Sequence, residues 1–218
     1  MAVAIARNTI SVPVGSVTLE GALGVPPALK GVVVFAHGSG SSRHSPRNRY
    51  VAGFLNEHEF GTLLVDLLTV GEEQVDQYTA HLRFDIDLLA GRLVAITDWL
   101  AERPQVCGHA IGYFGASTGA AAALVAAMKR PDVVKAVVSR GGRPDLAGPA
   151  LSEVRAPTLF IVGSKDPAVL DLNRKAMAKM SGRTKLKIIS GATHLFEEPG
   201  ALEEVARQAE AWFEAHLE

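Results

Sequence analysis

A serine between two glycines is the most distinctive candidate for chemistry in this chain. Residues 115–119 read GASTG; they follow the apolar run Ile111–Phe114 and precede the alanine-rich segment Ala120–Met128. This pattern predicts a strand before the serine and a helix after it. A G-x-S-x-G sequence at such a junction holds its serine in a strained, exposed turn, with the helix amides facing the hydroxyl. Ser117 is therefore predicted to be a nucleophile; the alternative is a chance match in a chain with 21 glycines.

A serine hydroxyl needs a base, and the base needs a carboxylate that orients it and stabilises its charged form. His194 lies in the sequence GATHLF, after the last predicted strand and before the last predicted helix. Asp166, in GSKDP, follows the predicted strand Thr158–Val162. The order serine, aspartate, histidine is that of hydrolases with this serine turn. Asp166 is thus favoured as the acid over its alternative, Asp145, which lies in an earlier loop.

A second glycine-rich segment is predicted to stabilise the charge that develops when the serine attacks. Residues 37–41 read HGSGS and follow the apolar run Gly31–Ala36. The backbone amides of Thr118 and Ser39 are the predicted oxyanion donors. His37 is expected to brace the loop and is also a candidate for contact with the substrate. A phosphate-binding loop is the alternative, but neither G-x-x-x-x-G-K-[ST] nor G-x-G-x-x-G occurs here.

Arginines flank the predicted site, and their forked guanidinium groups match carboxylates and phosphates. Arg43, Arg140 and Arg143 are candidates for binding an anionic substrate. The alternative is that they pair with nearby acidic side chains and hold the loops in place. Three connections are expected to form the rim of the site: Ser41–Arg49, Val70–Arg83 and Gly141–Pro149.

The elements that must position these residues are predicted from the apolar pattern. Two alternating segments, Thr9–Val14 and Ser16–Leu23, predict an antiparallel hairpin. Helical spacing follows at residues 86–100 and 202–217. Continuous apolar runs are typical of strands buried on both faces of a parallel sheet, and they lie at Gly31–Ala36, Thr62–Leu68, Ile111–Gly115, Ala136–Ser139, Thr158–Val162 and Leu186–Ile189. Alternating strands and helices predict an α/β fold with helices on both faces of the sheet and the site at the carboxyl ends of its strands.

These motifs together resemble the α/β-hydrolase superfamily, and within it the dienelactone hydrolase-like branch. The stretches at residues 35–48 and 139–145 resemble hydrolase domains found fused to phosphoribosyltransferases. The resemblance implies an eight-stranded, mostly parallel sheet and a serine–histidine–acid triad. Dienelactone hydrolases carry a cysteine nucleophile where this chain has Ser117, so general esterase activity is expected instead. The short stretch from Gly141 to Arg155 leaves no room for a separate cap domain.

Composition limits the other possibilities. The 218 residues, 48% of them hydrophobic, fit one domain spanning residues 1–218. A formal net charge of −1 predicts no binding to nucleic acid or membranes. A single cysteine, Cys107, and the lack of a signal-peptide pattern predict a cytoplasmic protein. No cofactor or metal is expected, and a homodimer is one open alternative for the oligomeric state.

The sequence therefore predicts a serine hydrolase that cleaves a small carboxylic ester through an acyl-enzyme on Ser117. Two alternatives stay open. The same triad could pass the acyl group to another acceptor, as in an acyltransferase or a perhydrolase. The fold could also serve as a non-catalytic binding domain.

Overall fold

Strands and helices alternate along residues 8–217, the part of the chain that the computed structural model describes. The strands are β1 Asn8–Val14, β2 Val17–Gly24, β3 Gly31–Ala36, β4 Phe60–Val65, β5 Ile111–Ala116, β6 Val134–Arg140, β7 Thr158–Gly163 and β8 Thr184–Ile189. The α-helices are α1 Pro46–Glu57, α2 Val70–Thr79, α3 Ile86–Ala101, α4 Thr118–Lys129, α5 Pro167–Met177 and α6 Ala201–Leu217. Two 3₁₀ segments, Leu82–Phe84 and Pro144–Glu153, complete the order.

The eight strands form one sheet in the order β1-β2-β4-β3-β5-β6-β7-β8. β2 runs antiparallel to both of its neighbours, and the other strand pairs are parallel. Helices α3, α4 and α5 pack on one face of the sheet, and α1 and α6 pack on the other. The predicted α/β-hydrolase fold, with an eight-stranded, mostly parallel sheet, is confirmed.

The central strands have apolar residues at successive positions because helices cover both faces of the sheet. Every residue of β3, β4, β5 and β7 is buried. The edge strand β1 alternates buried and exposed positions over its second half, as expected where one face meets solvent. The carboxyl ends of β5, β6, β7 and β8 lie side by side, and the connections that follow them bring the candidate residues together.

The fourth strand ends three residues earlier than the sequence predicts. The apolar run suggests a strand at Thr62–Leu68, whereas β4 ends at Val65, opposite Ala36 at the end of β3. Beyond that point the Leu67 amide donates to His37 Nε2 at 3.0 Å instead of to a neighbouring strand. Leu67 is fully buried in this non-strand conformation, so burial alone does not identify the end of a strand.

The connections around the site are short. Residues 70–83, expected to be a connection at the rim, contain helix α2 and a single 3₁₀ turn. The 3₁₀ segment Pro144–Glu153 joins β6 to β7, and within residues 8–217 there is no separate cap domain. No helix in this same stretch has the length and apolar character needed to cross a membrane.

Candidate active site

Ser117 lies in the turn between β5 and α4 with the unusual backbone angles φ 49° and ψ −122°. A side-chain-bearing residue adopts a positive φ only at a cost, and such strain is common at active sites. The flanking glycines permit the close approach of α4 to the sheet. A Cβ on Gly115 would lie 2.5 Å from the Cα of Ala120, and one on Gly119 would lie 2.3 Å from the carbonyl oxygen of Ala36. The predicted strand–serine–helix turn is therefore present, with Ser117 half-buried at its apex.

The loops after β7 and β8 bring an aspartate to a histidine. Asp166 directly precedes α5, and His194 lies between β8 and α6. Nδ1 of His194 lies 2.7 Å from Oδ2 of Asp166, with the imidazole side chain 40% exposed and the carboxylate 15% exposed. A carboxylate accepts hydrogen bonds, so Nδ1 carries the proton and Nε2 is left to accept one. The alternative acid, Asp145, instead accepts two hydrogen bonds from Arg143, at 2.9 and 2.8 Å.

Ser117 and His194 line the same cavity, which has a volume of about 260 Å³. Its wall also includes Gly38, Ser39 and Arg140, which come from the ends of β3 and β6. The cavity thus lies at the carboxyl edge of the sheet, where parallel α/β folds bind their ligands. We name it the Ser117 cavity.

The two predicted oxyanion donors are in different situations. Thr118 is the first residue of α4, so its amide N–H has no acceptor within the helix. The Ser39 amide donates to Thr118 Oγ1 at 2.9 Å, which ties the glycine-rich loop to the residue after the nucleophile. The role of the Ser39 amide in stabilising an oxyanion remains a prediction, and it requires the Thr118 hydroxyl to share or release that hydrogen.

His37 is buried beneath the glycine-rich loop, and both of its ring nitrogens contact the backbone. Nδ1 donates to the Gly38 carbonyl at 2.9 Å, and Nε2 accepts the Leu67 amide hydrogen at 3.0 Å. This arrangement needs a neutral ring, and burial lowers the pKa of His37 below its ordinary value. The geometry fits the bracing role, whereas contact between His37 and substrate stays a prediction.

The three candidate arginines differ in their partners. Arg43 forms an ion pair with Asp66, and Arg143 forms one with Asp145, so both hold loops in place. Arg140 is 7% exposed, and its guanidinium makes a long hydrogen bond, 3.4 Å from Nη2 to Asn48 Oδ1. Asn48 is not predicted from the sequence as a partner of Arg140, since it contacts the guanidinium from α1, far away in the chain.

The His37–Asp66 side of the glycine-rich loop contains a separate cavity of about 410 Å³, bordered by α2. It does not include Ser117 or His194 among its lining residues. Within residues 8–217, no group of three or more His, Cys, Asp or Glu side chains is arranged to hold a metal ion.

The sheet order, the strained serine turn and the aspartate-bound histidine at neighbouring strand ends define an α/β hydrolase. Comparison with protein families gives a match to the dienelactone hydrolase family over residues 19–218. The chain therefore belongs to the dienelactone hydrolase family.

Individual relatives agree with this assignment. A crystal structure of a dienelactone hydrolase from Anabaena variabilis is 55% identical, with a TM-score of 0.97, and the match covers 99% of this chain and 100% of that one. Est1E from Butyrivibrio proteoclasticus shares the fold, with a TM-score of 0.79 at 16% identity and coverage of 95% of this chain and 98% of that one. A Mycobacterium tuberculosis H37Rv protein, provisionally named a phosphoribosyl transferase, is 57% identical over 208 residues. The match covers 95% of this chain but only 46% of that relative, so the chain spans about half its length.

Proposed function

We propose that this protein is a serine-dependent esterase that hydrolyses a small carboxylic ester through an acyl-enzyme on Ser117. The observation that carries the proposal is that His194, whose Nδ1 lies 2.7 Å from Asp166, lines the same cavity as the strained Ser117. Family membership supports a hydrolase. The solved Anabaena relative is named a dienelactone hydrolase, and a lactone is itself a cyclic ester.

The proposed reaction has two halves. Ser117 Oγ attacks the ester carbonyl carbon while Nε2 of His194 takes the hydroxyl proton, and the oxyanion accepts hydrogen bonds from the Thr118 and Ser39 amides. The intermediate collapses, the C–O bond breaks, and His194 returns the proton to the leaving alcohol. Water then attacks the acyl-enzyme, with His194 as base, and releases the carboxylic acid and Ser117. Asp166 stabilises the imidazolium in both halves.

A fluorophosphonate probe and a neutral p-nitrophenyl ester test the proposal together. We expect the probe to label the wild-type protein and Ser152→Ala, in which an exposed serine far from the cavity is replaced, but not Ser117→Ala. Ester turnover by Ser117→Ala should fall by about 10⁵- to 10⁶-fold. A wild-type protein that is neither labelled nor active on any ester would overturn the proposal and favour a binding domain. Transfer of the acyl group to an added alcohol in preference to water would instead favour an acyltransferase.

A further inference from the structure

Arg140 lies next to the nucleophile because their strands are neighbours. It is the last residue of β6 and pairs in register with Ala116, the residue before Ser117. The Ser117 amide donates to the Arg140 carbonyl at 3.3 Å. The Arg140 side chain lines the Ser117 cavity together with Ser117, His194 and Arg47. A group bound to this guanidinium would therefore belong to a molecule that also reaches the nucleophile.

The guanidinium of Arg140 is buried without a compensating negative charge. Its Nε has no hydrogen-bond partner, and among residues 8–217 no carboxylate lies within ion-pair distance of it. The group lies 5.8 Å from the centroid of the Phe196 ring, and within the described part of the chain its one hydrogen bond is the long contact with Asn48. A buried charge without a partner strongly destabilises a fold, so an unpaired guanidinium at this position points to a role in binding.

A second guanidinium adds to the positive potential of the same wall. Arg47 donates from Nη1 to the exposed Glu197 at 3.0 Å, but its buried Nε has no partner. Burial, followed by repulsion from Arg47, lowers the pKa of Arg140 to about 10. Arg140 is still a cation at neutral pH, so the wall carries two adjacent guanidinium groups, of which Arg47 has a carboxylate partner and Arg140 has none among residues 8–217.

Three other arginines around the site have carboxylate partners, which Arg140 lacks among residues 8–217. Arg43 is paired with Asp66, Arg143 with Asp145 and Arg83 with Asp76. Each of these side chains has its charge balanced within the fold. Arg140 has the opposite environment: more buried than a rim residue, unpaired, and open to the cavity that holds the nucleophile.

We propose that Arg140, assisted by Arg47, binds an anionic oxygen group of the substrate, so that the esters this protein hydrolyses carry a carboxylate or a phosphate. Two oxygens of such a group match the fork of a guanidinium and would satisfy the donor that has no partner within the protein. This inference rests on the proposed esterase function and narrows its substrate class.

Three p-nitrophenyl esters with the same reacting bond test the inference. One has a neutral pentanoyl group, one an adipoyl group ending in a carboxylate, and one a butanoyl group ending in a phosphate. We expect wild-type kcat/KM to be about ten- to a hundredfold higher for at least one charged ester than for the neutral ester. The better of the two charged esters identifies which anion the site accepts.

For each variant, kcat/KM for the charged ester is divided by kcat/KM for the neutral ester. A general loss of activity or of folded protein lowers both values equally and leaves this ratio unchanged. Arg140→Gln should bring the ratio to about one or below, and Arg140→Lys should retain part of it because it keeps the charge. Arg130→Gln, a change at an arginine that is paired with Asp98 and does not line the Ser117 cavity, should keep the wild-type ratio. A wild-type ratio near one, or a high ratio that survives in Arg140→Gln, would overturn the inference.

A binding measurement separates this inference from the esterase proposal. Calorimetric titration of Ser117→Ala with adipate and with inorganic phosphate needs no turnover. We expect the anion preferred by the wild type to bind, and the additional change Arg140→Gln to weaken binding at least about tenfold. If the wild type hydrolyses neutral esters but Ser117→Ala binds neither anion, the esterase proposal is retained and the anion site is rejected. Anion binding that requires Arg140 in a protein inactive on every ester would reject the esterase and retain the site.

Discussion

The hydrogen bond between His194 and Asp166 determines which nitrogen of the imidazole is free to accept the Ser117 proton in the proposed reaction. Replacement of Asp166 by Asn keeps the size of the side chain but lets an amide N–H face Nδ1, which moves the ring proton to Nε2. We expect kcat for a neutral ester to fall about 10⁴-fold with little change in KM. Asp145→Asn is the matched control, because Asp145 pairs with Arg143, and it should lose less than about threefold. Equal losses in the two variants would contradict the assignment of the acid.

The Thr118 amide is a predicted oxyanion donor, whereas the Thr118 hydroxyl anchors the glycine-rich loop. It accepts the Ser39 amide hydrogen at 2.9 Å and so positions the glycine-rich loop against the nucleophile turn. Thr118→Val keeps the shape but removes the acceptor, and we expect kcat to fall toward the hundredfold loss typical of a missing oxyanion donor. Thr118→Ser retains the hydroxyl and should rescue most of this activity. An unchanged kcat in Thr118→Val would show that the Ser39 amide needs no such anchor.

The connection after β4 depends on the start of α2. Thr69 Oγ1 accepts the Glu72 amide hydrogen at 3.2 Å, and the Glu72 carboxylate accepts the Thr69 amide hydrogen at 2.8 Å. The same carboxylate accepts two hydrogen bonds from Arg92, which also donates to the Leu67 carbonyl at 2.6 Å. One reciprocal cap thus joins α2, α3 and the end of β4.

We expect removal of one side of this cap to lower the stability of the protein measurably. Thr69→Ala removes one of the two reciprocal hydrogen bonds, and we expect the free energy of unfolding to fall by about 1 kcal/mol in urea titrations. Thr69→Ser keeps the acceptor oxygen and should stay within about 0.5 kcal/mol of the wild type. A larger loss in Thr69→Ser than in Thr69→Ala would mean that the threonine methyl group, not the cap, holds this connection.

Secondary structure with a local signal is predictable from this sequence. The buried strands and the GASTG turn follow from apolar runs and glycine placement, and the order of serine, aspartate and histidine places three residues at one sheet edge. The end of β4 has no such signal, because Leu67 and Leu68 are as apolar as the strand but pair with no strand. Helix α2 is likewise not predicted as a helix, because its surface is mostly polar and Asp76 is its one buried residue, although the capping pair Thr69 and Glu72 is a local signal for its start.

Side-chain partners across the fold are harder to predict than the elements. The sequence offers three candidate arginines around the site and favours Arg140, which directly follows a predicted strand, but it does not show which of them are paired, because pairing depends on which loops meet. Only the folded sheet places Asp66 beside Arg43 and leaves Arg140 facing Phe196 and Asn48. The pairing of Arg143 with Asp145, two residues away, is the one contact of this kind with a local signal.

At the scale of the whole molecule, the stability of the fold should depend on pH through His37. Burial lowers the pKa of this ring, against smaller opposing effects of the Gly38 carbonyl and the Asp66 and Glu73 carboxylates. A folded-state pKa below the unfolded value means that the unfolded chain binds more protons as the pH falls. The stabilisation is therefore complete above the unfolded value near 6.5 and is lost as the pH falls toward the folded value.

Urea unfolding of the wild type and His37→Gln between about pH 8 and pH 5 measures this effect. Gln can still accept the Leu67 amide hydrogen but does not titrate, so the variant should be less stable at high pH and lose less stability on acidification. The two slopes should differ by at most about 1.4 kcal/mol per pH unit, the limit for one proton. Glu72, whose pKa Arg92 lowers to about 2, contributes a constant amount in this range, since its stabilisation is lost only below its ordinary value of 4.5. If the free energy of unfolding changed equally with pH in the two proteins, His37 could be protonated without loss of stability. The neutral His37 ring would then not be what holds the glycine-rich loop in place.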